Sequence, residues 1–594
     1  IKNLAPGKYG IQAVPPAGQS WMQTSTIEGT KVIDAWVKAN EPPFFAEFGP
    51  AGYHVFIGFI QPFDDIPNGD GATIEGKVVN LHLSRPPDYA FYNGGCFDHT
   101  TPWVGLNDLS VGIGQGIYAA PTDADCNFSI ADVPDGNYQL VLWDTALDLI
   151  FAFKSITISG GVCTSPSGGC SLGEVPVFQW FTRLEHWVYD DVDGDAVWDD
   201  GEGPLMEQNI NLRWRDGTIY QAFPTDLEGF VPFDQVFPFF SWQVAEVDFA
   251  RFQATGVTVV VDDGGPIDRS STSFPGWGVL NPQDQQNPTD PFCVANPTIC
   301  TENPDHRVET GPILTQAFLG SIGQTSVIQW GKRHYPDFEN GGISGMVFYA
   351  TTRAENDPQA AGAEVWEPGI PRVTVNLYAA GVGGQRGTLL NTTTTDSWDD
   401  SIPTGCKGEV FEFLGQPTDC YDGLRNFNQV RPGVFDGGYA FDEVCVEGGG
   451  PAEIDPEGDH NDDGIPNKWD PDLLDEASCT GPLATGEFIV EVVPPPGYEL
   501  LKEEDKNVDF GDDYVPTPEL LPPPCVGDPH LIPPYLTLFP DLQIESPFAW
   551  ATGTYQPTWR PLCDRKQITL SAGANAAADF FLFTEVPRTA QGFG

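Results

Sequence analysis

The chain has 594 residues, with 28 basic against 84 acidic side chains and a formal net charge of −56. Such a surface is repelled by nucleic-acid phosphates and by anionic lipid, and it attracts cations. The length suits several domains, and no apolar run is long enough to span a bilayer, the most apolar stretch, 138–153, being broken by Asp144 and Asp148.

In chain order, residues 4–21 alternate between turns at Pro6-Gly7 and Pro15-Pro16, as the last strands of a β-sandwich do. Similar text returns at 133–142 and 487–498, the mark of an array of related modules. The first copy has no opening strands before it, so Ile1 is expected to lie inside a module and the chain to be a fragment or a processed product. Gly-containing opening strands are predicted at 73–79 and 343–349, and middle strands at 209–214 and 373–378. Thr-Asp turns lead into an aromatic residue at 122–128 and 225–230. Short alternating strands with frequent Gly and Pro predict an all-β chain of tandem antiparallel β-sandwich modules, Ig-like or prealbumin-like, with long ordered loops.

The expected organisation is the C-terminal part of a sandwich at 1–52, a sandwich at 53–160, a second at 161–263, a Pro- and Asn-rich insertion or linker at 264–335, a third sandwich at 336–515 and the start of a further β module at 516–594. Twelve cysteines fall into near neighbours: Cys96 with Cys126, Cys163 with Cys170, Cys293 with Cys300, Cys406 with Cys420, Cys445 with Cys479 and Cys525 with Cys563. None has metal-ribbon or redox CxxC spacing, so local disulfides in an oxidising, extracellular or cell-surface setting are expected.

Two twelve-residue loops place oxygen ligands where a hard cation takes them. One offers Asp191, Asp193, Asp195, the Val197 carbonyl, Asp199 and Glu202. The other offers Asp459, Asn461, Asp463, the Ile465 carbonyl, Asn467 and Asp470. Both are read as calcium sites. The alternative at each is a solvated acidic turn. Ala196 stands at the sixth position, where a sharp turn usually takes Gly, and the second loop ends in Asp where Glu is usual.

The stretch from Val188 through the first loop to Leu205 resembles the opening strand and calcium loop of the SdrD B-like repeat of bacterial surface adhesins. That repeat is related to collagen-adhesin B-type and carboxypeptidase-regulatory-like modules. Residues 342–349 with 367–378, and 508–512, resemble further strands of the repeat, and 53–160 is closer to the carboxypeptidase-regulatory-like type, without the acidic loop. The resemblance covers roughly half the chain. It implies an extracellular, calcium-bearing structural module with no catalytic centre.

The eight histidines are scattered, with no HExxH or zinc spacing, and no nucleophile elbow occurs. Asp528-Pro529-His530 beside Cys525 is the one cluster of note outside the loops, its plain reading being a turn next to a disulfide. The expected function is a non-catalytic surface or matrix protein, a stiff stalk or fibre, with other copies, neighbouring modules and cell-surface or matrix components as partners. The alternatives are an accessory portion of a larger secreted enzyme, or a carbohydrate-binding protein.

Overall fold

A computed structural model describes residues 7–26, 33–37, 57–62, 71–83, 91–93, 95–97, 100–110, 117–149, 153–166, 168–214, 217, 219–238, 240–246, 252–262, 282, 306–349, 368–398, 412–413, 416–417, 430–445, 479–500, 523–532, 535–538, 542–545 and 558–584. Among them the regular elements are β-strands, as expected, and most of them form three sandwiches, each with its own core, beside several two-stranded ribbons.

In the first sandwich, one sheet orders Val162–Ser165, Phe153–Ser159, Gly136–Asp144, Pro102–Asp108 and Ile117–Pro121. The facing sheet is built on Ala72–Leu83, flanked by Ser171–Val177, Asn127–Val133 and Phe91–Asn93. Alternation does the work: Tyr138, Leu140 and Leu142 of one strand face Phe128 and Ile130 of the other sheet in one core.

The middle sandwich packs a sheet ordered Phe230–Val236, Thr182–Asp190, Thr325–His334, Phe252–Val260 and Arg307–Thr310 onto one ordered Ile219–Pro224, Asn209–Trp214, Ser241–Glu246, Thr315–Leu319 and Val430–Pro432. Trp242, Trp330, Phe233 and Phe318 fill its core. The third has Gly438–Phe441, Ile343–Tyr349, Phe580–Thr584 and Tyr498–Leu500 in one sheet and Arg386–Thr394, Thr374–Ala380, Gly486–Val493 and Arg565–Leu570 in the other.

Strand membership departs from the sequence reading in three places. Val162–Ser165 and Ser171–Val177 belong to the first sandwich. Arg307–Thr310, Thr315–Leu319 and Thr325–His334, inside the stretch read as a linker, are integral to the middle one. Arg565–Leu570 and Phe580–Thr584, inside the stretch read as a further module, complete the third.

Pairing is antiparallel except that the first strand of each sandwich runs parallel to a late one, and in the third also to Ala576–Ala577. Ala72–Leu83 pairs with Ser171–Val177, Thr182–Asp190 with Thr325–His334, and Ile343–Tyr349 with Phe580–Thr584. A second shared device sits beside it. Val78, Val188 and Val347 of the first strands donate their N–H groups to the carbonyls of Cys126, Gly229 and Gly437, at 2.8–2.9 Å. All three acceptors have left-handed φ, 61°, 71° and 93°. A Cβ on Gly229 would lie 2.4 Å from the Val188 carbonyl oxygen, so glycine is required there. The first two are approached through a Thr-Asp pair that forms an Asx turn: Asp123 accepts Asp125 and Asn127 N–H, and Asp226 accepts Glu228 and Phe230 N–H. The three sandwiches are therefore variations on one local plan.

Disulfides join Cys96–Cys126, Cys163–Cys170 and Cys525–Cys563, with Cα separations of 5.5, 5.1 and 4.7 Å. Cys445 is disulfide-bonded and faces Cys479 across a two-residue ladder. Cys293, Cys300, Cys406 and Cys420 lie outside the described residues.

The junctions are polar and buried. Between the first two sandwiches, His82 Nε2 lies 2.9 Å from Asp262 Oδ2, both side chains buried, and Asp148 accepts the Phe181 N–H at 2.8 Å. Between the second and third, Arg213 donates to the Gly217 carbonyl and reaches Met346 Sδ and the Phe435 ring. Val430–Pro432 crosses this boundary. By sequence it falls among the strands of the third sandwich, yet it pairs with Thr315–Leu319 and buries Val430 completely in the middle core.

Two outcomes are expected. Val430→Ala removes two buried methyl groups, about 2 kcal/mol by transfer and cavity terms; hydrogen exchange should quicken along Thr315–Leu319 and leave the first sandwich unchanged. Burial, countered by the Phe181 N–H and reinforced by Asp144, pushes the Asp148 carboxyl up to about 7. A folded-state value above the ordinary 3.8 means that protonation favours the folded state. The contribution is full below about pH 3.8 and is lost as pH rises through about 7. Denaturant midpoints at pH 5 and pH 8 should differ less in Asp148→Asn than in the unaltered chain.

Candidate metal centre

The first acidic loop starts where the strand Thr182–Asp190 ends. The Asp191 N–H continues the ladder to the Lys332 carbonyl at 2.8 Å, and its side chain is fully buried. One carboxylate oxygen accepts Gly194 N–H at 2.8 Å; the other accepts Ala196 N–H at 3.0 Å and the Thr255 hydroxyl. Asp191 is thus the internal template on which the loop winds.

Two backbone features make the winding possible. Gly194 and Ala196 have φ of 77° and 65°. Ala196 does adopt the left-handed conformation that its position in the loop demands, and its methyl group is buried. The space beside it is tight: a Cβ on Gly256 would lie 2.5 Å from the Ala196 Cβ, and one on Gly331 would lie 2.8 Å from an Asp191 carboxylate oxygen. The Thr258 hydroxyl fastens the Ala196 carbonyl at 2.6 Å.

Of the six residues expected as ligands here, Asp191, Asp193 and Asp195 come together, each offering an oxygen within 4.8 Å of the others, and Asp193 and Asp195 are exposed. Asp195 is held above its usual range by partial burial and by the charges of Asp193, Asp191 and Asp199, against the pull of the Val197 N–H. Glu202 takes a different part. Its carboxylate accepts Val192 N–H at 2.8 Å and Asp199 N–H at 3.0 Å, closing the loop on itself.

Beneath the loop, Tyr189 is buried, its ring stacked on Trp198 at 5.3 Å. Its hydroxyl has no hydrogen-bond partner among the described residues, and burial with the charges of Asp191, Glu202, Asp195 and Asp199 raises its pKa. The donor set is all oxygen, anionic and crowded, which fits a hard divalent cation. The second loop, Asp459, Asn461, Asp463, Ile465, Asn467 and Asp470, lies outside the described residues.

No family model matches this chain, and no curated protein matches it. Solved structures give distant likenesses. The minor pilin GBS52 of Streptococcus agalactiae is 12% identical over 30% of this chain and 86% of its own, with a TM-score of 0.15. A streptococcal ancillary pilin is 9% identical over 72% and 92%, TM-score 0.16. The major pilin of Streptococcus pyogenes is 9% identical over 45% and 99%, TM-score 0.16. At these scores no conclusion about this chain is drawn from them.

The loop's architecture has its own test. Ala196→Val puts a β-branched side chain at a left-handed position against Gly256 and should cost more than about 2 kcal/mol. Ala196→Gly should be close to neutral, since lost methyl burial offsets relieved strain. Thermal denaturation in chelator isolates this effect from any metal.

Proposed function

We propose that this chain is a non-catalytic, extracellular structural part of a bacterial surface or matrix protein, an array of calcium- and disulfide-stiffened sandwiches forming a stalk or fibre. The observation that carries the reading is the parallel pairing of the first strand with a late one in each sandwich. Parallel partners put the start of the first and the end of the late one at opposite ends of the unit. The chain enters at one end and leaves at the other, as a load-bearing link must. The repeating units are the cores within 72–177, 184–330 together with Val430, and 343–582. Disulfides add stiffness that a small core alone does not supply.

Calcium at Asp191, Asp193 and Asp195, with Val197, Asp199 and Glu202 completing the loop, would neutralise the carboxylate crowding at the end of the middle sandwich's first strand. The same ion is proposed for the loop at Asp459–Asp470. Partners are other copies, neighbouring modules and surface or matrix components, recognised without a nucleic-acid or lipid site.

Calcium at a hundredfold excess over its Kd should stabilise by about 2.7 kcal/mol. For a sandwich of this size that is roughly 5–10 °C in Tm. Chelator should remove the shift, and Asp193→Ala should abolish the part that the first loop contributes while leaving the melting temperature in chelator unchanged. An intact protein whose melting ignores both calcium and chelator would sink the metal reading. The stalk reading is tested apart from it by pulling on the chain ends: tandem sandwiches with terminal parallel clamps should give discrete high-force unfolding steps.

A further inference from the structure

The segment Asp528-Pro529-His530 is untouched by the stalk reading, and the structure builds an unusual setting around it. Gly527 is packed so closely that a Cβ there would meet an Asp564 carboxylate oxygen at 2.0 Å and the Leu562 carbonyl oxygen at 2.4 Å. Asp564 therefore presses on the backbone one residue before Asp528. That oxygen of Asp564 is buried and has no hydrogen-bond partner among the described residues. The Asp528 main-chain carbonyl accepts the Leu562 N–H at 3.1 Å, a donor that polarises it. Its side chain, 85% exposed, is held by Arg565 Nη2 at 2.8 Å. The next bond is to Pro529, whose nitrogen carries no hydrogen, so the amide is tertiary.

We propose that the Asp528–Pro529 peptide bond is a self-cleavage site, with Asp528 as nucleophile, Asp564 as proton donor and the Leu562 N–H as oxyanion donor. The Asp528 carboxylate adds to its own main-chain carbonyl carbon and closes a five-membered ring. The C–N bond to Pro529 breaks, and the Pro529 nitrogen takes the proton of Asp564 and leaves as a secondary amine. Water opens the cyclic anhydride, its displaced proton returns to Asp564, and Asp528 becomes a new C-terminus with two carboxyl groups. Burial raises the Asp564 pKa, with Arg565 opposing, which favours the protonated acid that the step needs. Arg565 orients the nucleophile.

The surroundings keep the two products together. Cys525 and Cys563 are bonded across the cut, and Pro529–Ile532 stays paired with Thr558–Pro561. Hydrolysis would convert a continuous backbone into two chains, 1–528 and 529–594, joined by a disulfide.

The chain supplies its own control, because it has four other Asp–Pro bonds: Asp290–Pro291, Asp357–Pro358, Asp455–Pro456 and Asp470–Pro471. The intact protein is incubated at pH 5–7 and followed by mass spectrometry and by gels with and without reductant. The expected result is a new N-terminus at Pro529 alone, fragments seen only after reduction, and a hydroxamate on Asp528 when hydroxylamine is present. Asp528→Asn, at an exposed position that leaves the fold intact, should abolish the cut. Asp564→Asn should slow it roughly 10²-fold, with an unchanged melting temperature as the check on folding. No cut at Pro529, cutting of all five bonds at similar rates, cutting that survives Asp528→Asn, or a rate unaffected by Asp564→Asn would each overturn the proposal.

Discussion

Everything in this protein is arranged around the parallel pairing of the first strand of each sandwich with a late one. A two-residue turn can join antiparallel neighbours, but parallel strands need a crossover. Here the crossover is most of the remainder of the sandwich. The pair in the middle unit is the longest, eight residues in register from Arg183↔Thr325 to Asp190↔Lys332. A pull on the two chain ends loads such a ladder in shear, along all its hydrogen bonds at once. The acidic loop begins where this ladder stops, and Asp191 still bonds the Lys332 carbonyl. The loop is therefore the end-piece of the clamp, and whatever rigidifies it stops the ladder from fraying.

The second constraint is the distribution of buried charge. Lys332 is buried and donates to Glu246 at 2.7 Å and Gln208 at 3.0 Å, linking the two sheets of the middle sandwich. Arg307 is buried and reaches Gln316 and the Val430 carbonyl. Such groups contribute little net stability against apolar replacements, but removing one partner leaves a charge stranded. Their value is in fixing one arrangement. Arg307 accepts only a strand whose carbonyl lies where that of Val430 lies, which ties the third sandwich's sequence to the second's sheet.

Much of the fold is legible in the sequence because its signals are local. The strands at 73–79, 209–214, 343–349 and 373–378 alternate, the Thr-Asp turns at 122 and 225 precede aromatics, and each cysteine pair seen bonded is a near neighbour. What is not legible is long-range. Val430–Pro432 is three residues long and has no period to detect. The strand Thr325–His334 lies beside Pro- and Asn-rich text that masks it. His82 and Asp262 are 180 residues apart, and neither has a local sign of the other. A third Thr-Asp turn, at Thr395 and Asp396, repeats the hydrogen bonds of Thr225: the hydroxyl accepts Val373 N–H and donates to the Ile370 carbonyl. It hides in a run of threonines. In the acidic loop, the sequence names the carboxylates that gather, Asp191, Asp193 and Asp195, but does not reveal that Glu202 turns inward to cap the loop's own N–H groups.

The charge balance, finally, acquires a physical meaning from where the cations are. The chain has only 28 lysines and arginines against 84 acids. Arg213, Arg307, Lys332 and Lys566 are buried, and Arg565 nearly so. Asp144, Asp191, Glu246, Asp262, Glu491 and Asp579 are buried as well, so burial takes a larger share of the few cations than of the many acids and the outer surface keeps a higher ratio of acid to base than the composition. Neighbouring sandwiches then repel one another where their surfaces lie within the screening length, about 8 Å at physiological ionic strength. Repulsion along a tandem array favours extension, whereas the buried contacts at the junctions, His82 with Asp262 and Arg213 with Met346, hold the units in contact. An array built this way resists folding back on itself through its surface and resists separation through its interior. A divalent cation at the proposed site would act on the first term by neutralising exposed carboxylates such as Asp193 and Asp195, and would leave the second unchanged.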